Sequence, residues 1–377
     1  MLKNNLKLRE KAAEEKRQWV RITRACNNDC LFCLDQEAHN GKLVPITEVV
    51  RVLKQGGKEG AARAIISGGE PTLHPQVFEI IRKARQLGYK HVQMISNGRM
   101  LAYENFVQKL KEAGLDEVTL SLHSHKKNDF EKMSGVKGSY LQAMRGLKNA
   151  LDNNFIVSVD IVINKINYKT LKETMIFFEK MGVSEFDLLH LVPFGSAWKN
   201  KDQLFFSSAE AKKYLHRAFQ LGKRKNLFIW TNRLPAAYLE GFEELIQHPI
   251  KMSGEIKGME RNFLEFVKSG KKMPCFGERC EFCFLHDFCA DLSELRDKKF
   301  LEAKLAPPCF VQKKAPKKVF KFTKNFDIYE FLKFFIDHRY FIKSTGCSNC
   351  KYDQLCQGAQ INEIRSKGFK ILKSIKK

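Results

Sequence analysis

The sequence predicts an α/β protein with a parallel sheet surrounded by helices, followed by a smaller second domain. Short apolar runs rich in Val and Ile alternate with amphipathic helical patterns over the first 235 residues. This alternation is typical of parallel strands that are buried on both faces. Eight of the eleven cysteines lie after residue 272, where the alternation becomes irregular. That cysteine-rich end indicates a domain organised by metal.

Six runs are predicted to be strands, and five patterns between them are predicted to be helices. The strands are Trp19–Thr23, Arg63–Ser67, His91–Ser96, Glu117–His123, Val157–Asn164 and Phe186–Val192. The helices are Ile46–Lys58, Gln76–Leu87, Tyr103–Ala113, Tyr140–Asn153 and Tyr168–Met181. A sixth helix, Ser208–Arg224, leads to a further apolar run at Leu227–Trp230. Periodicity alone does not separate a partial barrel from a full eight-unit barrel or a doubly wound sheet.

A chain of 377 residues is long enough for one large domain and a smaller one. We expect four segments along it. They are a basic N-terminal extension at residues 1–18, the strand–helix domain at 19–235, a helical linker at 236–272 and the cysteine-rich domain at 273–377.

Charge and hydropathy indicate where the protein works and which kinds of partner it can bind. No apolar run approaches the roughly 20 residues that cross a membrane, and the N-terminus lacks the apolar core of a secretory signal. A cytoplasmic protein is therefore expected, and there cysteines are more often metal ligands than disulfides. The net charge of +24 favours an anionic partner such as RNA, an acidic peptide or a nucleotide. Solvated lysine-rich faces would produce the same charge without any such partner.

Three cysteines follow the first strand at CxxxCxxC spacing: Cys26, Cys30 and Cys33. Three thiolates can bind three irons of a [4Fe–4S] cluster and leave the fourth iron open to a small molecule. The run resembles the signature of the radical S-adenosylmethionine (SAM) superfamily, including the aromatic Phe32 before the last cysteine. The resemblance implies that the open iron binds SAM and that an electron from the cluster cleaves it. The resulting 5'-deoxyadenosyl radical then abstracts hydrogen from a substrate.

The same resemblance implies a partial (β/α)6, TIM-like barrel that is open on one side. Its chemistry would lie at the C-terminal ends of the strands, where the cysteine run follows the first strand. Gly68, Gly69 and Glu70 follow the second strand. Glycines let a backbone approach a ligand closely, and a carboxylate can accept from an ammonium group. In the resembling family this segment binds the amino group of SAM.

Polar side chains end the later strands. The resemblance implies SAM ribose and carboxylate contacts at Ser96, Asn97, Ser121 and Asn164, while capping of the strand ends is the structural alternative. Arg145 is a candidate for the SAM carboxylate or a solvated arginine.

His123 and His125 are candidate proton donors or substrate contacts, and His123 is the one carried forward as a catalytic candidate. The alternative is a structural histidine whose hydrogen bonds are satisfied within the protein. No other catalytic residue is assigned.

The remaining cysteines form two triplets with identical x2 and x5 spacing, and one further cysteine precedes each triplet. Two four-coordinate auxiliary clusters are therefore predicted, with a four-cysteine zinc site as the alternative for each set. The simplest partition is Cys275, Cys280, Cys283 and Cys289 for the first set, and Cys309, Cys347, Cys350 and Cys356 for the second. The second set looks like the SPASM or twitch extension of radical SAM enzymes, although Gln360 stands where SPASM has a further cysteine.

The resemblance implies a radical SAM enzyme, an oxygen-sensitive oxidoreductase with SAM and a reductant such as ferredoxin or flavodoxin as partners. Auxiliary clusters of this type occur in enzymes that oxidise or crosslink peptides, so a peptide or protein side chain is the first expected substrate. Modification of a small molecule or cofactor precursor, and modification of RNA, are the alternatives. A non-catalytic iron–sulfur carrier is disfavoured, because a carrier needs no SAM site.

Overall fold

The computed structural model describes residues 14–305, 307–309 and 318–376. These residues form two compact units, one spanning residues 14–232 and the other beginning at Arg233. Most of the predicted N-terminal extension, residues 1–13, lies outside the described residues.

The first unit contains a seven-stranded sheet in which every neighbouring pair is parallel. The strands are β1 Arg17–Thr23, β2 Arg63–Gly68, β3 His91–Ser96, β4 Glu117–Ser121, β5 Ile156–Ile163, β6 Glu185–His190 and β7 Phe228–Asn232. They pair in chain order from β1 to β7, which leaves β1 and β7 as the edges. The predicted α/β class is confirmed, and this order is consistent with a partial barrel.

The prediction of six strands was wrong by one. The apolar run after the sixth helix forms β7, which pairs in parallel with β6 from Glu185↔Phe228 to Leu189↔Asn232. This run is short and follows a lysine-rich stretch, so periodicity did not distinguish it from a loop. Its pairing with β6 is a tertiary contact that a local pattern does not contain.

The helices of this unit follow the predicted alternation. They are α1 Ile46–Lys58, α2 Val77–Gln86, α3 Glu104–Ala113, α4 Lys127–Ser134, α5 Ser139–Asp152, α6 Leu171–Met181, α7 Gly195–Lys199, α8 Lys201–Leu204 and α9 Ser208–Phe219. The elements α4, α7 and α8 were not predicted. Three predicted strands were too long at their C-terminal ends, since β4 stops at Ser121, β5 at Ile163 and β6 at His190. As a result, His123 and Asn164 lie just beyond the strands.

The sheet has two faces of different chemistry. One face is fully buried and apolar, as at Val118 and Leu120 of β4. The alternate residues form a second face, which we call the inner face. It carries polar side chains: Gln93 Nε2 donates to Thr119 Oγ1 at 2.7 Å, and Thr119 Oγ1 is 2.8 Å from Ser158 Oγ. The ends of parallel strands meet at one edge, so the loops after β1, β2, β3 and β4 all lie at that edge.

The second unit is mainly helical and is built on an aromatic core. Its helices are α10 Met252–Ile256, α11 Glu260–Ser269, α12 His286–Lys298, α13 Ile328–His338 and α14 Ile361–Lys367. Two small antiparallel pairs accompany them, β8 Phe300–Glu302 with β9 Val319–Lys321, and β10 Phe341–Ile342 with β11 Ala359–Gln360. The ring of Phe288 packs against Phe263, Phe331 and Phe335 at centroid distances of 5.4–5.8 Å. No helix in the described ranges is both long and apolar enough to cross a membrane.

A buried ion pair links the helices of this unit. Arg339 follows α13, and its side chain is 8% exposed. Its Nε and Nη2 donate to the two carboxylate oxygens of Asp291 on α12, at 2.7 and 3.0 Å. Nη2 also donates to Glu294, and Nη1 donates to the carbonyl of Glu302. One guanidinium therefore neutralises two carboxylates and joins three chain segments.

We expect Arg339→Met to destabilise the second unit by about 3 kcal/mol, because the buried Asp291 carboxylate would lose its bidentate partner and keep only the Lys304 ammonium at 3.5 Å. The matched control is Arg261→Met, which removes an exposed pair with Glu265 and should cost about 0.5 kcal/mol or less. All three tryptophans lie in the first unit, so fluorescence would not report this change. Amide hydrogen exchange in α12 and α13 is the measurement. Equal protection in the two variants would contradict the prediction.

Candidate active site

The cysteine loop, residues 24–35, is held at the C-terminal edge of the sheet by backbone hydrogen bonds to two other loops. The amide of Glu70 donates to the carbonyl of Ala25 at 2.7 Å. The amides of Asp29 and Leu31 donate to the last turn of α4, at 2.9 and 3.0 Å. The loop is therefore fixed by the ends of β2 and α4.

A third tie comes from the segment after β6. The amide of Ser196 donates to the carbonyl of Cys33 at 2.9 Å, and Asn200 Nδ2 donates to the carbonyl of Leu31 at 3.1 Å. The hydroxyl of Ser196 also donates to the side chain of Gln36. The loop is thus anchored from three sides.

Glycines make this close packing possible. A Cβ on Gly69 would lie 2.3 Å from the carbonyl oxygen of Ala25 and 3.2 Å from the Cβ of Cys26. A Cβ on Gly135 would lie 2.3 Å from the carbonyl oxygen of Asp29, and one on Gly195 would lie 2.4 Å from that of Cys33. Real Cβ atoms do not approach so closely, so each of these positions needs glycine.

The three thiols of the loop are close enough to influence one another. Burial raises the pKa of Cys26 to about 11, and the nearby Glu70 and Cys33 contribute to the rise. Burial also raises the pKa of Cys30, and its neighbours Cys26 and Cys33 raise it further. Such thiols stay protonated unless a cationic centre binds them as thiolates. A set of three partly buried thiols therefore fits the binding of an iron–sulfur cluster.

Glu70 is buried, and its carboxylate already accepts four hydrogen bonds. Oε1 accepts from the amide and hydroxyl of Thr72 and from the hydroxyl of Ser96, at 2.6–3.2 Å. Oε2 accepts from the amide of Asn97 at 2.7 Å. Burial raises the pKa of Glu70, and these hydrogen bonds oppose the rise. The carboxylate thus ties the end of β2 to the end of β3, and Oε2 keeps acceptor capacity for a further donor.

A polar network joins the end of β3 to the cysteine loop. Asn97 Nδ2 donates to Asn27 Oδ1 at 2.7 Å. Arg99 Nη1 donates to the carbonyl of Asn27 and, at 3.0 Å, to Asn28 Oδ1. Its Nε donates to Gln142 of α5 at 2.7 Å. Ser96 and Asn97 therefore lie near the loop, and their contacts with SAM stay a prediction. Arg99 and Gln142 are the residues of this network that the sequence analysis missed.

His123 contacts the cysteine loop through its ring. The ring stands edge-on to Phe32 with centroids 4.6 Å apart. Nδ1 accepts from the amide of Val162 at 3.2 Å, which leaves the proton on Nε2. Burial lowers the pKa of His123 to about 3. The imidazole is therefore neutral at physiological pH and can donate from Nε2 but not act as an acid in the imidazolium form.

The remaining predicted site residues, Ser121, Asn164 and Arg145, differ in their burial and in their hydrogen-bond partners. Ser121 is half-buried and pairs in register with Asp160 on the neighbouring strand. Asn164 is fully buried: its Oδ1 accepts from Ile166 N, and its Nδ2 lies near Val162 O. Asn164 therefore caps the end of its strand, which was the structural alternative to a contact with SAM. Arg145 lies on α5 with an exposed side chain and makes no hydrogen bond or ion pair to any described residue.

Two carboxylates meet on the inner face next to Ser121. Asp160 of β5 and Asp187 of β6 are register partners on adjacent parallel strands. Burial, followed by the charges of Asp187 and Glu185, raises the pKa of Asp160 well above its usual value. Neighbouring carboxyls of this kind resist being ionised together. Asp160 can therefore carry a proton beside the Asp187 carboxyl, a feature that no motif in the sequence indicated.

The thiols of the first C-terminal cysteine set lie near one another. Burial raises the pKa of Cys289, and the nearby thiols of Cys283, Cys275 and Cys280 raise it further.

The second group surrounds one small cavity, which is lined by Cys309, Cys347, Cys350 and Cys356. Within the described ranges, no three Cys, His, Asp or Glu side chains are already arranged to hold a single metal ion. The assignment of these thiols to clusters therefore depends on their grouping and spacing.

Comparisons with known proteins agree with this geometry. Residues 20–178 match the Radical SAM superfamily model. A probable GTP 3',8-cyclase of Saccharolobus solfataricus is 34% identical over 49% of this chain and 61% of its own length. One from Saccharolobus islandicus is 31% identical over 62% of this chain and 76% of its own length. The structure of Streptococcus suis SuiB bound to S-adenosylmethionine has a TM-score of 0.50 and 14% sequence identity to this chain. The match covers 94% of this chain and 75% of SuiB, and it shows a similarity in fold alone.

The sheet topology, the three-cysteine loop at its C-terminal edge and the similarity to these relatives lead to one conclusion. The chain belongs to the radical SAM superfamily, whose enzymes use a [4Fe–4S] cluster and S-adenosylmethionine.

Proposed function

We propose that this radical SAM enzyme modifies a small purine-nucleotide precursor of a cofactor, with GTP as the first candidate. The observation that carries the proposal is the similarity to probable GTP 3',8-cyclases at 31–34% identity. Among the expectations from the sequence, this favours the small-molecule alternative over the peptide substrate that was expected first. The chain spans 61% and 76% of the length of these two relatives.

The cysteine loop would hold the cluster through Cys26, Cys30 and Cys33. When bound, the cluster and SAM supply a one-electron reductive cleavage that starts hydrogen abstraction from a substrate. The chain's own residues position these groups. The backbone of Gly68 and Gly69 has no side chain in the way of a ligand, and Oε2 of Glu70 can accept from an ammonium group. Ser96 and Asn97 would act by holding Glu70 in place.

The inner face supports a nucleobase substrate. A carboxyl pair that shares a proton offers a donor beside an acceptor, which complements the carbonyl and N–H edge of guanine. Asp160 and Asp187 are register partners, and the raised pKa of Asp160 lets it carry a proton beside Asp187. Ser121 lies beside them and can add a hydroxyl. We assign these three residues to substrate binding and His123 Nε2 to a hydrogen bond at the same face.

The remaining proposals follow from this function. The two C-terminal cysteine sets would each hold an auxiliary cluster that exchanges electrons with the reaction. The enzyme would work in the cytoplasm under anaerobic conditions with a ferredoxin or flavodoxin as reductant. A peptide substrate is the second candidate, because eight cysteines in two sets resemble the extensions of peptide-modifying enzymes. RNA modification depends on net charge alone and is the weakest alternative.

GTP should raise the rate at which the reconstituted enzyme forms 5'-deoxyadenosine from SAM in the presence of dithionite. The physical reason is that a bound substrate excludes water and couples SAM cleavage to hydrogen abstraction. ATP is the matched control, because it carries the same triphosphate without the guanine edge. The measurement is 5'-deoxyadenosine per enzyme by chromatography. A rate that GTP does not raise, or that peptides raise instead, would contradict the proposal.

Gly69→Ala should remove the cluster of the cysteine loop while both C-terminal sets stay loaded. The new Cβ would collide with the carbonyl of Ala25 and displace Cys26. Iron should fall from about twelve to about eight per chain, and 5'-deoxyadenosine formation should fall about a hundredfold.

Gly57→Ala is the control for that variant, because a Cβ at this helical position meets nothing within 4 Å. Its iron content and activity should equal those of the parent. Full iron loading of Gly69→Ala would show that the loop tolerates the displacement and would contradict the packing argument.

Asp160→Asn should stabilise the first unit at neutral pH by about 1–3 kcal/mol, the usual cost of a buried polar group without its partner. Because the folded-state pKa of Asp160 is raised, ionisation disfavours the folded protein as pH rises above about 3.9. The gain should therefore be absent near pH 3.5 and grow with pH. Urea unfolding followed by tryptophan fluorescence measures it, with exposed Asp202→Asn as the control. A gain that does not depend on pH would contradict this account.

A further inference from the structure

The two C-terminal cysteine sets differ in the charge around them. The first set lies in a segment, residues 275–289, with three acidic residues and one basic residue. All three acidic side chains, Glu278, Glu281 and Asp287, are exposed. The segment of the second set, residues 347–356, holds one basic and one acidic residue, and from residue 357 to residue 376 basic residues outnumber acidic ones by four. An acidic protein would therefore be repelled at the first set and attracted at the second.

The chain's end places lysines next to the second set. The amide of Ile375 donates to Cys350 Sγ at 3.4 Å, and the amide of Lys351 donates to the carbonyl of Ile375 at 2.9 Å. Lys376 follows directly, and Lys373 lines the same cavity as the four cysteines. Lys351, Lys373 and Lys376 form what we call the basic patch, and all three side chains are exposed.

The charges of the basic patch are available to a partner. None of its three ammonium groups makes a hydrogen bond or ion pair to any residue that the structure describes, while Lys343 nearby is paired with Asp353 at 2.8 Å. An apolar side chain lies beside the second set: Leu355, adjacent to Cys356, is 82% exposed. Unpaired cations next to an exposed apolar residue suit a transient protein interface, in which charge guides the encounter.

We propose that the basic patch is the docking surface of a small acidic one-electron carrier protein, which delivers electrons through the second cysteine set. The inference rests on the proposed function in that Cys309, Cys347, Cys350 and Cys356 must hold a redox cluster. The reduced carrier loses one electron, the second set's cluster gains one, and no bond or proton is exchanged. The exposed surface next to Cys350 and Cys356 makes this set the entry point, since the acidic first set repels the same carrier.

The test compares two double variants of the full, reconstituted chain. Lys351→Glu with Lys376→Glu reverses the patch and leaves Lys373, which lines the cluster cavity, unchanged. Lys54→Glu with Lys90→Glu makes the same change in net charge at exposed positions of the first unit that have no ion partner among the described residues. The probe is a purified acidic flavodoxin, and the readout is its affinity by isothermal titration at low and high salt.

The patch variant should bind flavodoxin about tenfold more weakly at low salt than the parent, with the difference shrinking at high salt. The control variant should keep the parent's affinity. With dithionite as reductant, which needs no docking, both variants should form 5'-deoxyadenosine at the parent's rate. Equal affinity in the two variants would overturn the docking proposal. If the parent protein forms no 5'-deoxyadenosine from SAM with dithionite, the proposed function is overturned instead. The two failures are therefore distinguishable.

Discussion

The structure of the candidate site depends on one steric constraint, the contact between the cysteine loop and backbone that carries no side chains. Gly69, Gly135 and Gly195 approach the loop from three different elements, and a Cβ at any of them would overlap a carbonyl oxygen of the loop. Because these contacts fall on Ala25, Asp29 and Cys33, they fix the loop at three points along its length. The positions of Cys26, Cys30 and Cys33 are thus set by the packing of the sheet's C-terminal edge.

Buried polar groups are the second feature that fixes the geometry of the candidate site. Glu70 is fixed by four hydrogen bonds, and Arg99 holds the backbone and side chains of the cysteine loop. Such networks are costly when incomplete and rigid when complete. The carboxyl of Asp160 is different, because burial and the charges of Asp187 and Glu185 disfavour its ionisation. A group that lowers stability in this way is typical of a position retained for binding or catalysis.

The two cysteine-rich sets of the second unit have similar spacing but different surroundings. The thiols of each set influence only members of the same set in the pKa shifts that the structure resolves. This grouping supports the partition into two sets of four that the spacing suggested. Acidic residues surround the first set and lysines surround the second, so the two sets would attract partners of opposite charge. Two clusters that are alike in ligands can therefore differ in their partners.

Local sequence was enough to predict the alternation of strands and helices, because periodicity is a local property. It also determined the cysteine loop and the Gly68–Glu70 segment, since their spacing is a covalent property of the chain. Strand ends were less predictable: β4 stops at Ser121 because pairing with β5, and not local propensity, decides where it ends. For the same reason the pattern did not reveal β7.

Only the tertiary structure decided which distant residues meet. Arg99, Gly135 and Gly195 reach the cysteine loop from three separate elements, and Asp160 meets Asp187 through strand register. Neither contact leaves a mark in local sequence, because the residues are far apart along the chain. The same structure separated Asn164, which caps a strand end, from Ser121, which lies on the inner face. Local patterns place a residue at the edge of a sheet, but packing decides what its side chain can reach.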